Sequence, residues 1–560
     1  MMKKYLVFLM VLLLAQVGKA QDIEALLNAP ILTANGGISI NQIATFTPGD
    51  STATTDPYAL FIGGNLNLSF FGVANVPLSF AYTNQQLSKN ASLPFNRFSF
   101  SPSYKWVKTY IGYTSMQFSP YSLAGHELFG GGVELTPSDK WTVSALYGRL
   151  QKASSGEEGV NPAYERMGGG FKLGYKGAQY DVAVNLFKAK DQLASVQFTN
   201  PDSISVKPQD NLTGSIETNI QLIPHVNLSA EYGMSALNRN IIEADRMFYH
   251  AFKTRLAYSI DLGSVGATYE RVAPNYTTLG AYYMTNDYEN ITANVSTTIN
   301  KINIAMDGGY QRDNLDNQKT NATSRMIYSG NISANVSEKL SLGANFSNLQ
   351  SYMYINDVYS QVTQTNPFQN LDTLNVTQLN YTVGLNAAYT LQSSETQRQS
   401  TNVNFMYQKT AEAQQYSQFT GNGIYNATVA YQFSLTPAKL NTSASVSYNY
   451  NSMPDNLYTK ALTYNLSVQK TFLEDVRTSL TTTYSDMDNQ EGSVSNVLNL
   501  RLSAGYTLLK KHNFNLSLST LYSEAMQKTR LQYAAHLTYS YAFNMTLSRK
   551  EKRLHLDTQF

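Results

Sequence analysis

Tyr425-Asn426-Ala427-Thr428-Val429-Ala430-Tyr431-Gln432-Phe433-Ser434-Leu435 decides how this chain is read. Every odd position is apolar or aromatic, and the even ones are mostly polar or small. Successive strand side chains point to opposite faces, so the segment has one greasy face and one wet face. The same period recurs at Val76–Tyr82, Leu379–Leu391 and Leu498–Leu508, and along almost the whole chain.

Alternation alone also fits a soluble sandwich, so a soluble secreted all-β binding protein is one alternative. Two features favour a membrane barrel. The alternating runs are about 9–15 residues long, near the 9–11 that cross a bilayer at a tilt. The connections also alternate in length. Short ones fall at Phe71–Asn75, Gly263-Ser264, Asn300-Lys301, Ser337–Lys339, Thr436–Lys439 and Leu509–His512; long ones at Gln85–Pro94, Gln151–Met167, Ala189–Asp210, Val272–Glu289 and Asn348–Thr377. Short turns at one end and long loops at the other are the pattern of outer-membrane barrels.

Composition agrees. Only 14% of the 560 residues are charged, against about 25% in soluble domains. Mean hydropathy is −0.29, and no apolar run of about 18 residues follows the N-terminus, which excludes membrane-spanning helices. Lys3 and Lys4 precede an apolar stretch from Tyr5 to Val17, and Gly18-Lys19-Ala20 offers small residues for cleavage between Ala20 and Gln21. Residues 1–20 are therefore expected to be a signal peptide for export through the inner membrane. Without its three lysines the 41 basic residues fall to 38 against 39 acidic ones. That near-neutral balance leaves no electrostatic footprint for nucleic acid. Absence of cysteine excludes disulfide staples and thiolate metal sites.

The expected fold is all-β: a single transmembrane antiparallel β-barrel of about 26 strands, roughly 24–26, with short periplasmic turns and long extracellular loops. Residues 21–37 form a short periplasmic segment, 38–548 the barrel, with Ile38–Phe46 its first strand, and 549–560 a charged tail. Tyr539, Tyr541 and Phe543 supply the aromatic run of the last strand. Tyrosines near strand ends (Tyr58, Tyr104, Tyr249, Tyr328, Tyr381, Tyr448, Tyr450 and Tyr522) suit the level of the lipid headgroups.

A ring of 26 tilted strands spaced about 4.8 Å apart is about 50 Å across. So wide a lumen has to be filled or flattened, by residues 21–37, by the loops 151–167, 189–210 and 348–377, or by a partner. The last loop is the longest, and its Tyr352, Tyr354, Tyr359 and Phe368 are apolar enough to pack inward.

Other motifs have bland explanations. Triplets such as Asn465-Leu466-Ser467 resemble glycosylation acceptors, but period-two alternation generates them unaided. No two of the six histidines stand at metal-ligand spacing, and no cofactor is expected. Gly130-Gly131-Gly132 and Gly168-Gly169-Gly170 lack the strand–helix context of a phosphate loop and mark bends, bulges or close packing.

Gly36–Gln42, Leu93–Phe98, Leu123–His126, Ala145–Leu150 and Pro162–Gly168 together give residues 36–190 a resemblance to a group of largely uncharacterised outer-membrane β-barrel proteins. The resemblance implies fold and location, and carries no functional residue. Arg97, His126, Glu127, Arg149, Glu165 and Arg166, in these non-alternating stretches, are candidates for a polar network lining the lumen or the outer rim. No catalytic or metal signature stands out. The expected function is a non-enzymatic outer-membrane barrel, either a channel or the membrane scaffold of a larger assembly. Its partners would be outer-membrane lipid and a lipoprotein or periplasmic plug. An outer-membrane hydrolase with scattered active-site residues is the second alternative.

Overall fold

The computed structural model describes residues 29–48, 57–84, 97–155, 162–196, 206–243, 245–319, 324–348, 350–351, 378–412, 421–453, 457–472, 475–489, 495–525, 528–548 and 554–556. These form one closed antiparallel barrel of 26 wall strands. Arg97–Phe100 and Ser103–Tyr104 are two halves of one broken strand, as are Leu340–Ser347 and Gln350–Ser351. Closure is made by Leu32–Phe46 against Lys528–Leu547, in register from Leu32↔Leu547 to Phe46↔Tyr533. A closed ring leaves no unpaired strand edge, which is the only way a sheet can satisfy its backbone in lipid.

Short turns close one end of the wall. Pro224-His225, Asp261-Leu262 and Asn300-Lys301 each join two strands directly, with His225 and Asn300 in the left-handed backbone region (φ 72° and 55°). The first strand starts at Leu32 and not at Ile38, so the segment read as periplasmic extends into the wall. Within this added stretch a Cβ on Gly36 would lie 2.3 Å from the Asn65 carbonyl oxygen, so glycine lets the two strands meet closely there. Beyond the wall, Leu554–Leu556 pairs with Met545–Leu547.

Facing follows the period. Val429, Val446, Tyr464, Tyr484, Leu498 and Tyr522 lie opposite one another along successive strands, and all are between 36% and 52% exposed. The adjacent row is polar and bonded laterally: Thr428 to Ser447 and Thr463 to Ser485, both at 2.9 Å. Asn465 and Ser467 likewise bond Thr483 and Thr481 across the wet face, while Leu466 faces out. Tyr249 departs from the expected girdle. It packs inward against buried Tyr121, Ala251, Val272 and Tyr276.

Candidate functional site

The site is a plug built from two long-loop segments. Residues 115–127 follow the strand Val107–Thr114, and residues 273–287 follow Gly263–Val272. Both turn into the lumen, where Leu123 and Gly280 join them as a parallel bridge and the Ala124 amide donates to the Gly280 carbonyl at 2.9 Å. Met116, Phe118, Leu123 and Leu279 form one buried cluster with the wall residues Leu128, Leu146, Leu150, Phe187 and Ala189. Tyr121 and Tyr276 form a second with Ala251 and Val272, their rings edge to face at 6.0 Å.

Wall glycines make room for these side chains. A Cβ on Gly132 would lie 2.9 Å from Met116 Cε, one on Gly170 2.7 Å from Phe118 Cε2, and one on Gly233 2.6 Å from Tyr121 Cβ. The two glycine triplets are therefore seats for the plug at Gly132 and Gly170. Close packing in strands is what the sequence suggests for them, though not what packs there.

Polar contacts also fix the plug. Glu217, Glu231, Lys253 and Glu270 stand directly opposite one another on four successive strands. Glu217 beside Glu231 is a like-charge pair that costs stability on its own. Lys172 offsets it at 2.6 Å from Glu217 and donates to the Phe118 carbonyl at 2.9 Å. The Ser119 hydroxyl donates to Glu231, and Lys253 pairs with Glu270 at 3.3 Å. Tyr121 donates to Glu270 at 2.7 Å, and Tyr276 donates to the Tyr121 carbonyl at 2.7 Å. Burial raises both phenols far above their ordinary values, so they remain donors. Ser235 donates to the Thr277 carbonyl at 2.6 Å, and the Leu279 amide donates to Asn211 Oδ1 at 3.0 Å.

The six residues expected to form one network fall on two sides of the wall. Four face the plug. Arg97 pairs with Glu127 at 3.2 Å. His126 stacks on Tyr282 at 4.1 Å, and the Tyr282 hydroxyl accepts from the Glu127 amide at 3.1 Å. Burial holds His126 at about 4, well below its ordinary value, and the nearby Arg166 charge acts in the same direction. Burial also raises the Glu127 carboxyl, against the pull of Arg97, and pushes Tyr282 up to about 12. Arg166 grips buried Asp191 through two bonds of 2.7 and 3.0 Å. Arg149 and Glu165, 3.8 Å apart, lie on the outer face instead, where Arg149 also covers the Phe129 ring. The lumen-filling residues expected at Tyr352, Tyr354, Tyr359 and Phe368 lie outside the described residues.

No family model and no curated protein matches the sequence. Among solved structures the chain is similar to the P pilus usher PapC translocation pore, at 10% identity and a TM-score of 0.38, covering 91% of this chain and 99% of that one. It is similar also to the ferric enterobactin receptor PfeA from Pseudomonas aeruginosa, at 10% identity and 0.42, covering 91% and 81%. A third is OpdQ from Pseudomonas aeruginosa, at 8% identity and 0.31, covering 92% and 98%. At such identities and TM-scores the likeness says nothing of cargo or role.

The plug was missed in the sequence because residues 115–127 and 273–287 are short and mixed in character. The signal lay in the wall. Val182-Ala183-Val184-Asn185-Leu186-Phe187 is apolar on both faces except at Asn185, as a strand is when something packs on each side of it.

Proposed function

We propose that the protein is a bacterial outer-membrane channel whose lumen is narrowed by a resident plug, and that it works without covalent chemistry. One observation carries this reading: residues 115–127 and 273–287 are seated in glycine-lined recesses of the inner wall. An apolar outer face and a bonded polar inner face support a membrane location. The contacts of His126 are those of a packed ring, with Nδ1 held 2.7 Å from the Glu127 carbonyl and one face covered by Tyr282. They favour a structural imidazole over a general base.

The described contacts of the plug run along the wall from Arg97 to Lys319. That one-sided seat favours a second element in the rest of the lumen, either another part of the chain or a lipoprotein or periplasmic partner. Planar-bilayer recording of the purified barrel tests the channel reading. Stepwise openings are expected. A silent but folded barrel that co-purifies with a partner in mild detergent would replace the channel with a scaffold.

A further inference from the structure

The outer face of the wall carries a feature that the lumen does not use. Arg149, Lys188, Lys190, Arg246, Arg271 and Arg312 all lie near the long-loop ends of their strands. Facing is fixed by strict alternation. In Tyr180–Gln192 the odd residues Ala183, Asn185, Phe187, Ala189 and Asp191 are buried inward, while Lys188 and Lys190 continue the exposed row of Val182, Val184 and Leu186. Tyr288 faces the plug, which puts its neighbour Glu289 outside, and register places Arg271 and Arg312 on either side of that glutamate.

Five of the six cations stand next to an outward apolar or aromatic residue two positions nearer the membrane, and Lys190 follows Lys188 on the same row. The pairs are Tyr147 with Arg149, Leu186 with Lys188, Phe248 with Arg246, Tyr269 with Arg271, and Tyr310 with Arg312. An aromatic step followed by a cation marks the headgroup level of a bilayer. Three carboxylates lie among the six cations. Glu165 is 3.8 Å from Arg149, Asp210 is 3.1 Å from Arg246 and 3.9 Å from Lys188, and Glu289 is 3.4 Å from Arg271 and also bonds Arg312. Lys190 has no carboxylate partner among the described residues. The belt keeps an excess of positive charge, and Lys188 and Arg312 remain 57% and 54% exposed.

We propose that this belt binds the phosphate groups of an anionic lipid headgroup in the outer leaflet. Guanidinium forks and ammonium groups at headgroup depth are the donors such phosphates take. The interspersed carboxylates hold the long side chains at that level instead of letting them lie along the strand. The belt lies on the outside of the same arc of wall that seats the plug.

The purified barrel in detergent micelles would be titrated with a bis-phosphorylated glucosamine lipid and with its dephosphorylated form, and bound lipid read by native mass spectrometry. The phosphorylated form should bind at least about tenfold more tightly. Lys188→Gln, Lys190→Gln and Arg246→Gln combined should weaken it about a hundredfold, the effect of three cations near a lipid surface. Lys188→Arg with Lys190→Arg should retain binding. Heat-modifiable mobility reports whether each variant folds. Equal wild-type binding of the two lipids would overturn the proposal, whatever the variants do. So would a folded triple variant that binds like wild type. Full displacement of the lipid by millimolar inorganic phosphate would mark a soluble-anion site and overturn it as well.

Discussion

Gly233→Ala should open the channel by evicting the plug while leaving the wall intact. The new methyl would lie 2.6 Å from Tyr121 Cβ, 3.1 Å from Tyr121 Cγ and 2.9 Å from the Tyr276 hydroxyl. A Cβ cannot be rotated out of the way, so relief has to come from moving the 115–127 backbone. Overpacking of this kind costs about 1–3 kcal/mol. The wall itself loses nothing, because alanine is no worse than glycine in a strand. A penalty of about 2 kcal/mol shifts the ratio of seated to released plug roughly thirtyfold. Gly170→Ala meets the edge of the Phe118 ring at 2.7 Å, which the ring relieves in part by tilting, so its own effect should be smaller and the double variant should release the plug further. Single-channel recording reads the effect directly, as larger or more frequent openings. Uptake of a large glycopeptide antibiotic by cells reads it independently. Unchanged conductance and uptake, with heat-modifiable mobility preserved, would show that these segments do not obstruct the pore.

Three further outcomes are expected. His126 is held neutral by burial at about 4, against 6.5 when free, so its seat is favoured above pH 6.5 and weakens as the pH falls toward 4. Glu127, raised by burial, acts in the opposite sense; open probability should therefore climb more steeply on acidification in Glu127→Gln and fall on acidification in His126→Gln. Val429→Arg, on the exposed outer row, should impair assembly by about 2–4 kcal/mol at mid-bilayer, whereas Thr428→Arg on the wet face should be tolerated; equal yields of folded barrel would reverse the facing. Mass spectrometry of protein extracted from the outer membrane should find Gln21 as the first residue, and retention of residues 1–20 would contradict export by cleavage.

Much of the fold was legible because a barrel wall repeats one physical rule. Val429 and Thr428 differ in polarity for the same reason that one meets lipid and the other meets Ser447. Strand number followed from the sorting of connections into short and long. The plug was harder to read, because Tyr121, Tyr276 and Leu279 acquire meaning only against wall residues distant in sequence, and Gly233 gives no local sign that a ring packs on it. The division of the polar residues had the same cause. Arg149 and Arg166 stand on opposite faces of the wall, and a register shift between Arg149 and Gln151 disturbs the parity that would have separated them.

The seam between Leu32–Phe46 and Lys528–Leu547 imposes an order on biogenesis. Its partners come from opposite ends of the chain, as the hydrogen bond from Thr538 to Asn41, 497 residues apart, illustrates. Until the final strand has emerged the sheet has two open edges and no inside, so a plug that packs on an inner wall has nothing to enclose it. Every intermediate is an open, sticky ribbon, and loop-closure entropy delays the contact that ends this exposure. A nascent chain of this design needs an escort through the periplasm, and loss of the last strand should abolish the protein outright instead of yielding a smaller barrel.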